Sequence, residues 1–311
     1  MPHTANANAS NPLTPSTAEH TLIVPDVRAS FEEDRRPVTV IGPPTISLMT
    51  LLRAVARLRQ YRDLLYTLSL HRLQVRYKQS ILGWLWAVVQ PLSLMLIYTV
   101  IFSRVALVQT GGVPYPLFAY SALLVWTCFS TAVGTATNSL VSHFNLVTKV
   151  YFPREILPLS YVLAALVDLL AGSIVLGALL IYYHVPLSAY ALYVLPSVAV
   201  LGTFALAVSL VLSAVQVRYR DIGLALPLLL QVWMFATPVV YPLHAVPPQW
   251  RSLYLLLNPM AGVVETFRRG LINHQSPDVA PLAIAAAVSL VLLPIAYLYF
   301  KRVEATVADV L

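Results

Sequence analysis

Six stretches of this chain meet or approach the length and apolarity of a bilayer-spanning helix: residues 81–102, 117–139, 156–183, 190–217, 222–241 and 281–300. Spanning the hydrocarbon core takes about 20 mostly apolar residues. Only 11% of the residues are charged and 58% are hydrophobic, whereas an ordinary soluble domain carries about a quarter charged residues. A surface built from so few charges must largely face lipid or other protein. The expected fold is all-α and membrane-integral: six transmembrane helices, an amphipathic interface helix before them, and a re-entrant helix pair between the last two.

The formal net charge of +7 does not point to nucleic acid, because the cations collect before residue 81 and at the ends of apolar runs. That is the pattern of cytoplasmic loops and anionic head groups, not of a basic binding face. His143, Lys149 and Arg154 fall in the second loop, and Arg218 and Arg220 in the fourth. The stretches "VQTGGVPYP" and "HVPLS" of the first and third loops carry no Lys or Arg, and Lys301 and Arg302 follow the last span. Both termini are therefore expected in the cytoplasm. Residues 1–45, with "FEEDRRP" and several prolines, read as a disordered cytoplasmic tail, and 301–311 as a second, short tail. The start carries no apolar core of secretory-signal type, so the first span is expected to act as its own insertion signal.

Residues 46–80 place Leu48, Leu51, Leu52, Val55 and Leu58 at spacings of three and four with arginines between them. This is the pattern of a basic amphipathic helix in the head-group plane. The segment ends in Arg76, Tyr77 and Lys78, hard against the first span, whose middle holds Pro91. Between the fifth and sixth spans, the apolar pieces 253–257 and 260–264 are too short to cross and are broken by Asn258-Pro259. Two short helices that dip in and turn back satisfy the backbone where protein covers it.

Reactive chemistry is missing from the sequence. There is no phosphate-cradling glycine loop, no His/Cys/Glu set at metal-ligand spacing and no nucleophile elbow. The lone Cys128 reads as a small packed side chain. Asp168, in "YVLAALVDLLAGSIVL", is the clear intramembrane carboxylate. Such a group costs about 2.5–3.5 kcal/mol at mid-depth. Alone, it reads as an anchor bonded to a Ser, Thr or Tyr of a neighbouring helix rather than as a proton relay. In the second loop, residues 145–152 form a short amphipathic segment closed by Pro153. Its Tyr151 and Phe152 suit either a knob for a partner's groove or head-group anchors.

Four blocks, "RYKQSILGWLWAVVQPL", "NLVTKVYFPREILPLS", "RYRDIGLALPLLLQVWMFATPVVYPL" and "LNPMAGVVETFRRGL", together resemble the permeases of ABC-2 type polysaccharide exporters. That family includes O-antigen, teichoic-acid and capsule permeases. The resemblance runs from about residue 38 to the end, with 81–300 as the ABC-2 type transmembrane domain. One departure is visible: His71-Arg72-Leu73 stands where the family often has Arg-Asp-Leu. The resemblance implies a homodimer that binds two copies of a separate ABC ATPase subunit, embedded in membrane lipids of the bacterial inner membrane. This chain would bind no cofactor; ATP and Mg would be used by the ATPase. Residues 61–80 would be a gate helix, with Arg72, Arg76, Tyr77 and Lys78 receiving the substrate, an undecaprenyl-linked glycan. Asn145, Lys149, Tyr151, Phe152 and Arg154 would couple to the ATPase.

The translocation path is assigned to Trp84, Tyr98, Glu265 and Arg268. Trp84 and Trp86 are about 200° apart on a helix, so one can line a conduit while the other anchors at the interface; Trp84 is assigned to the conduit. Glu265 also stands at pairing distance in sequence from Arg268 and Arg269. The rival function is an ATP-independent flippase or secondary transporter, with a polyprenyl-linked membrane enzyme third.

Overall fold

The computed structural model describes residues 59–78, 80–105, 110, 112–150, 152–272 and 278–310, without the side chains of 84, 103–105 and 305–310. The expected N-terminal tail, the first half of the amphipathic region, Tyr151 and the Trp84 side chain lie outside the described residues. No strand occurs among those described. In chain order the helices are α1 (Arg62–Tyr77), α2 (Trp86–Tyr98), α3 (Tyr115–Thr137), α4 (Ser139–Ser142), α5 (Phe144–Lys149), α6 (Ile156–Tyr182), α7 (Val194–Arg218), α8 (Ile222–Ala236), α9 (Pro248–Leu257), α10 (Pro259–Ile272) and α11 (Val279–Val310).

Four of these are long and apolar enough to cross a membrane: α3, α6, α7 with its preceding 3₁₀ turn, and α11. The other two expected spans are shorter, at Trp86–Phe102 and Ile222–Ala236. Local chemistry explains both. Gly83 has φ +51°, a conformation cheap only for glycine, and the helix starts after the 3₁₀ turn Gly83–Leu85. At the other site Thr237 precedes Pro238 and takes an extended backbone, ψ 145°, as residues before proline do. The expected C-terminal tail is instead helical, since α11 continues to Val310. After Pro294 no Pro or Gly interrupts it, and Lys, Arg, Glu and Ala favour helix.

Helix α3 is the central pillar: 78% of its apolar window is buried within the protein, against 28% for α11. Helices α6 and α7 pack on it, α11 packs on α7, and α1 on α6. An aromatic cluster ties α3, α7 and α8 together. Phe129 and Phe204 stack with centroids 5.5 Å apart, and Trp233 stands edge-on to Phe129 at 5.2 Å, the offset and perpendicular arrangements that ring quadrupoles favour. Leu170 and Ile174 on α6, Leu224 and Leu228 on α8, and Leu290 on α11 are exposed. Apolar flanks of this extent suit lipid or another protein surface.

The bundle has two unlike ends. One carries Lys149, Arg154, Arg218 and Lys301 and is called the basic end below. At the far end, α9 and α10 lie between α8 and the start of α11. At 1.5 Å per residue they are about 15 and 21 Å long, short of the roughly 30 Å hydrocarbon core. Both begin with a proline, where the missing N–H has no helical partner to lose. Helix α10 lies against α11 at Gly262, where a Cβ would collide with the Pro281 carbonyl. Gly262→Ala should therefore cost about 1–3 kcal/mol, as overpacking does. Thermal unfolding in detergent measures this, with Gly177→Ala, whose Cβ would meet open space, as the control.

Candidate functional site

Helix α1 buries Ser69, Leu73 and Tyr77, a stripe of period four that forms one helical face, against α6. The stripe ends at Asp168 of α6. Arg76 Nη1 lies 2.7 Å from Asp168 Oδ2, and the Tyr77 hydroxyl donates to Oδ1 at 2.8 Å. Asp168 is thus an anchor, as its isolation in sequence implied, and a tyrosine is among its partners. A cavity of about 20 Å³, the size of one water, adjoins it between Gln90, Pro91, Thr127 and Thr131. Arg76 is committed to the carboxylate, while Lys78 is exposed at the helix end.

Arg72, one turn earlier, is placed differently. Its guanidinium carbon lies 4.3 Å from the centroid of the Tyr161 ring. Its Nε and Nη2 are shielded and make no hydrogen bond among the described residues. Arg72, Arg76, Thr131, Thr135 and Tyr161 line a cavity of about 210 Å³. Burial pushes the Arg72 pKa below its ordinary value, and its shielded Nε and Nη2 lie beside a cavity whose wall is mostly apolar, with Leu73, Val75, Ala164 and Ala165 in it. The four gate residues expected from sequence therefore divide into two that grip Asp168, one exposed, and one, Arg72, with two shielded donors that make no hydrogen bond among the described residues. His143 and Tyr161 complete this region without having been singled out for it. Their rings meet edge-to-face at 6.4 Å, and no periodicity flags a contact between the residue before α5 and one on α6.

The second basic-end feature is α5. Asn145 and Lys149 are exposed, as are Phe144 and Val150. Phe152 is not the expected outward knob: it is 6% exposed and packs with Leu140, Val147, Ile156 and Phe300. The helix ends at Lys149 and Val150 is extended; this change of direction turns Phe152 inward. Behind α5 a polar clasp joins the loop to α11. Arg154 Nη1 donates to the Glu304 carbonyl at 2.8 Å, and Glu155, 3% exposed, accepts from Lys301 at 2.6 Å. Arg154 is thus tied to α11 within the chain.

At the far end, the residues expected along a path are buried. Glu265 accepts from Arg268 at 2.9 Å and from Arg269 at 2.6 Å. Arg268, 2% exposed, also donates to the Pro238 carbonyl at 3.0 Å and lies 3.8 Å from the Phe118 ring centroid. Tyr98 is buried edge-on to Phe102 and Phe235. Within this chain, then, Glu265, Arg268 and Tyr98 are packing elements, and none lines an open channel. Asn258 fastens the adjacent corner, accepting from Trp233 Nε1 at 3.1 Å and donating to Thr237 Oγ1 at 3.0 Å.

Four long apolar helices, an amphipathic helix pinned beside them and a short exposed helix between two of them define a multi-pass membrane protein. The family model described as ABC-2 type transporter matches residues 63–272. An O-antigen export system permease protein RfbA of Myxococcus xanthus is 37% identical over 249 residues, covering 78% of this chain and 93% of the relative. A namesake from Klebsiella pneumoniae is 29% identical, covering 68% and 83%. The polysialic acid transport protein KpsM of Escherichia coli is 26% identical, covering 76% and 93%. The chain belongs to the ABC-2 type transporter family, as its four sequence blocks led one to expect.

Removing the Glu265 carboxylate leaves Arg268 buried without its counter-charge, the costly half of a broken buried pair. Glu265→Ala should lose about 3–5 kcal/mol and accumulate poorly in the membrane, whereas Lys149→Ala should leave stability unchanged. Thermal unfolding of both variants in detergent measures the contrast.

Proposed function

We propose that this chain is the transmembrane permease subunit of an ABC transporter that exports a lipid-linked, O-antigen-like polysaccharide across the bacterial inner membrane. The observation that carries the reading is 37% identity across 93% of an O-antigen export permease. On this reading the basic end is cytoplasmic, with both termini there, in keeping with the loop charges. Helices α2 and α8 serve as two short spans beside the four long ones, and α9 and α10 are re-entrant on the periplasmic side. Two copies of the chain form the pathway and two copies of an ATPase subunit drive it. ATP and Mg are bound by that subunit and not by this chain.

The division of labour follows from the side chains. Helix α5 is the docking knob: Phe144 and Val150 offer apolar contact, Asn145 and Lys149 a polar rim, and the Glu155–Lys301 clasp keeps it from yielding under load. The 210 Å³ cavity beside α1 receives the pyrophosphate of the carrier lipid. Arg72 has idle donors for it, and a guanidinium suits phosphate geometry. The exposed Lys78, at the end of α1, adds a second cation for the same head group. Arg76 and Tyr77 act indirectly, by holding α1 against Asp168.

Deleting the gene in its native host should abolish the surface glycan, and the wild-type gene should restore it; a normal surface glycan in the deletion strain would contradict the proposal. The docking role makes a sharper demand. Phe144→Asp and Val150→Asp should each weaken copurification of the ATPase at least about tenfold, as loss of an anchor of 1–2 kcal/mol does. Phe152→Asp should instead lower the amount of folded chain, because it puts a charge into a closed core.

A further inference from the structure

Arg72 stands where two contacts meet. Its guanidinium lies on the Tyr161 ring, and the Tyr161 ring meets the His143 ring edge-to-face. His143 is the residue immediately before α5, and its Nδ1 lies 2.9 Å from the Ser139 carbonyl, so the imidazole has a set orientation. Three planar groups therefore run in contact from the cavity beside α1 to the start of α5. Each is stiff once packed: a guanidinium plane and two rings move by displacement, not by bending. Arg76 cannot take this part, since Asp168 holds it, and Lys78 is exposed beyond the end of α1.

We propose that Arg72, Tyr161 and His143 form a relay that couples anion binding in the cavity to the position of α5. The inference rests on the proposed reading of α5 as the ATPase-docking helix. A pyrophosphate group entering the cavity engages the idle Nε and Nη2 of Arg72 and draws the guanidinium toward itself. The Tyr161 ring loses or changes its cation contact, and its packing against His143 changes with it. The coupling is reciprocal, as linkage requires: movement of α5 by the ATPase alters the hold of Arg72 on the anion. Tyr161 and His143 are thus positioning residues. The contacts use the Tyr161 ring and not its hydroxyl, and the His143 ring.

The test uses the complex of this chain with its ATPase in phosphatidylcholine vesicles. ATP hydrolysis is measured with undecaprenyl pyrophosphate in the bilayer, with inorganic pyrophosphate in solution, and with neither. Wild-type complex should be stimulated at least about fivefold, the lower range of allosteric coupling. Stimulation by both probes assigns the anion itself as the ligand, and stimulation by the lipid alone assigns the lipid-borne form; either supports the relay. His143→Leu should bring stimulation close to onefold while binding of the probe, measured directly on the complex, is retained, because His143 lies outside the cavity. His143→Phe should restore it by keeping an aromatic edge. Tyr161→Leu should abolish stimulation and Tyr161→Phe retain it. The relay is overturned if His143→Leu and Tyr161→Leu are stimulated like wild type, or if neither probe stimulates a complex that hydrolyses ATP. A chain that recruits no ATPase at all overturns the docking reading itself, and the relay with it.

Discussion

One carboxylate inside an apolar helix fixes where the amphipathic helix can lie. Asp168 costs several kcal/mol if it is left bare in a membrane interior, and it is answered by Arg76 and Tyr77 together. Because both partners come from the last turn of α1, that turn is held at the depth of Asp168 on α6. The rest of the region follows by geometry. Arg72 lies one turn back on α1 and Tyr161 two turns back on α6, so the two helices run in the same sense and meet again at that level. Gly83 then supplies the sharp turn, at φ +51°, that lets α2 start close by.

The two ends of the molecule treat charge in opposite ways. At the basic end, the Glu155–Lys301–Glu304 chain of contacts braces α5 from behind, and its front stays open. At the far end, Glu265 and Arg268 are closed into protein, where their pairing ties α10 to the Pro238 loop and to α3. A buried pair of this kind gives less stability than its distances suggest, because desolvation offsets attraction. What it supplies is position: α10 can sit in one place only. A permease that is pushed at one end and opens at the other requires a firm far end, which is how the proposed function uses this asymmetry.

Much of this was legible in the residues. The long apolar runs gave α3, α6, α7 and the start of α11 within a few residues, because length and apolarity decide them, whereas α11 runs ten residues past its expected end. Asp168 announced its own need for a partner, and the spacing of Glu265 to Arg268 and Arg269 announced theirs. What could not be read was direction. Phe152 looks like an outward knob in an amphipathic segment, but the extended Val150 reverses it. Glu265 and Arg268 look like a polar lining, yet the aromatic ring that covers Arg268 comes from Phe118, 150 residues earlier. Likewise Arg72, Tyr161 and His143 come from three segments distant in sequence, so no local pattern marks their contact.

The central claim, that this chain moves a lipid-linked glycan only under the drive of a separate ATPase, is tested by reconstitution in sealed vesicles. The measurement is the fraction of a lipid-linked glycan that passes to the leaflet opposite the ATPase, read by its protection from an added glycosidase. The account predicts transfer only when this chain, the ATPase and ATP are all present. Transfer at an undiminished rate by this chain alone, with neither ATPase nor ATP, would contradict it.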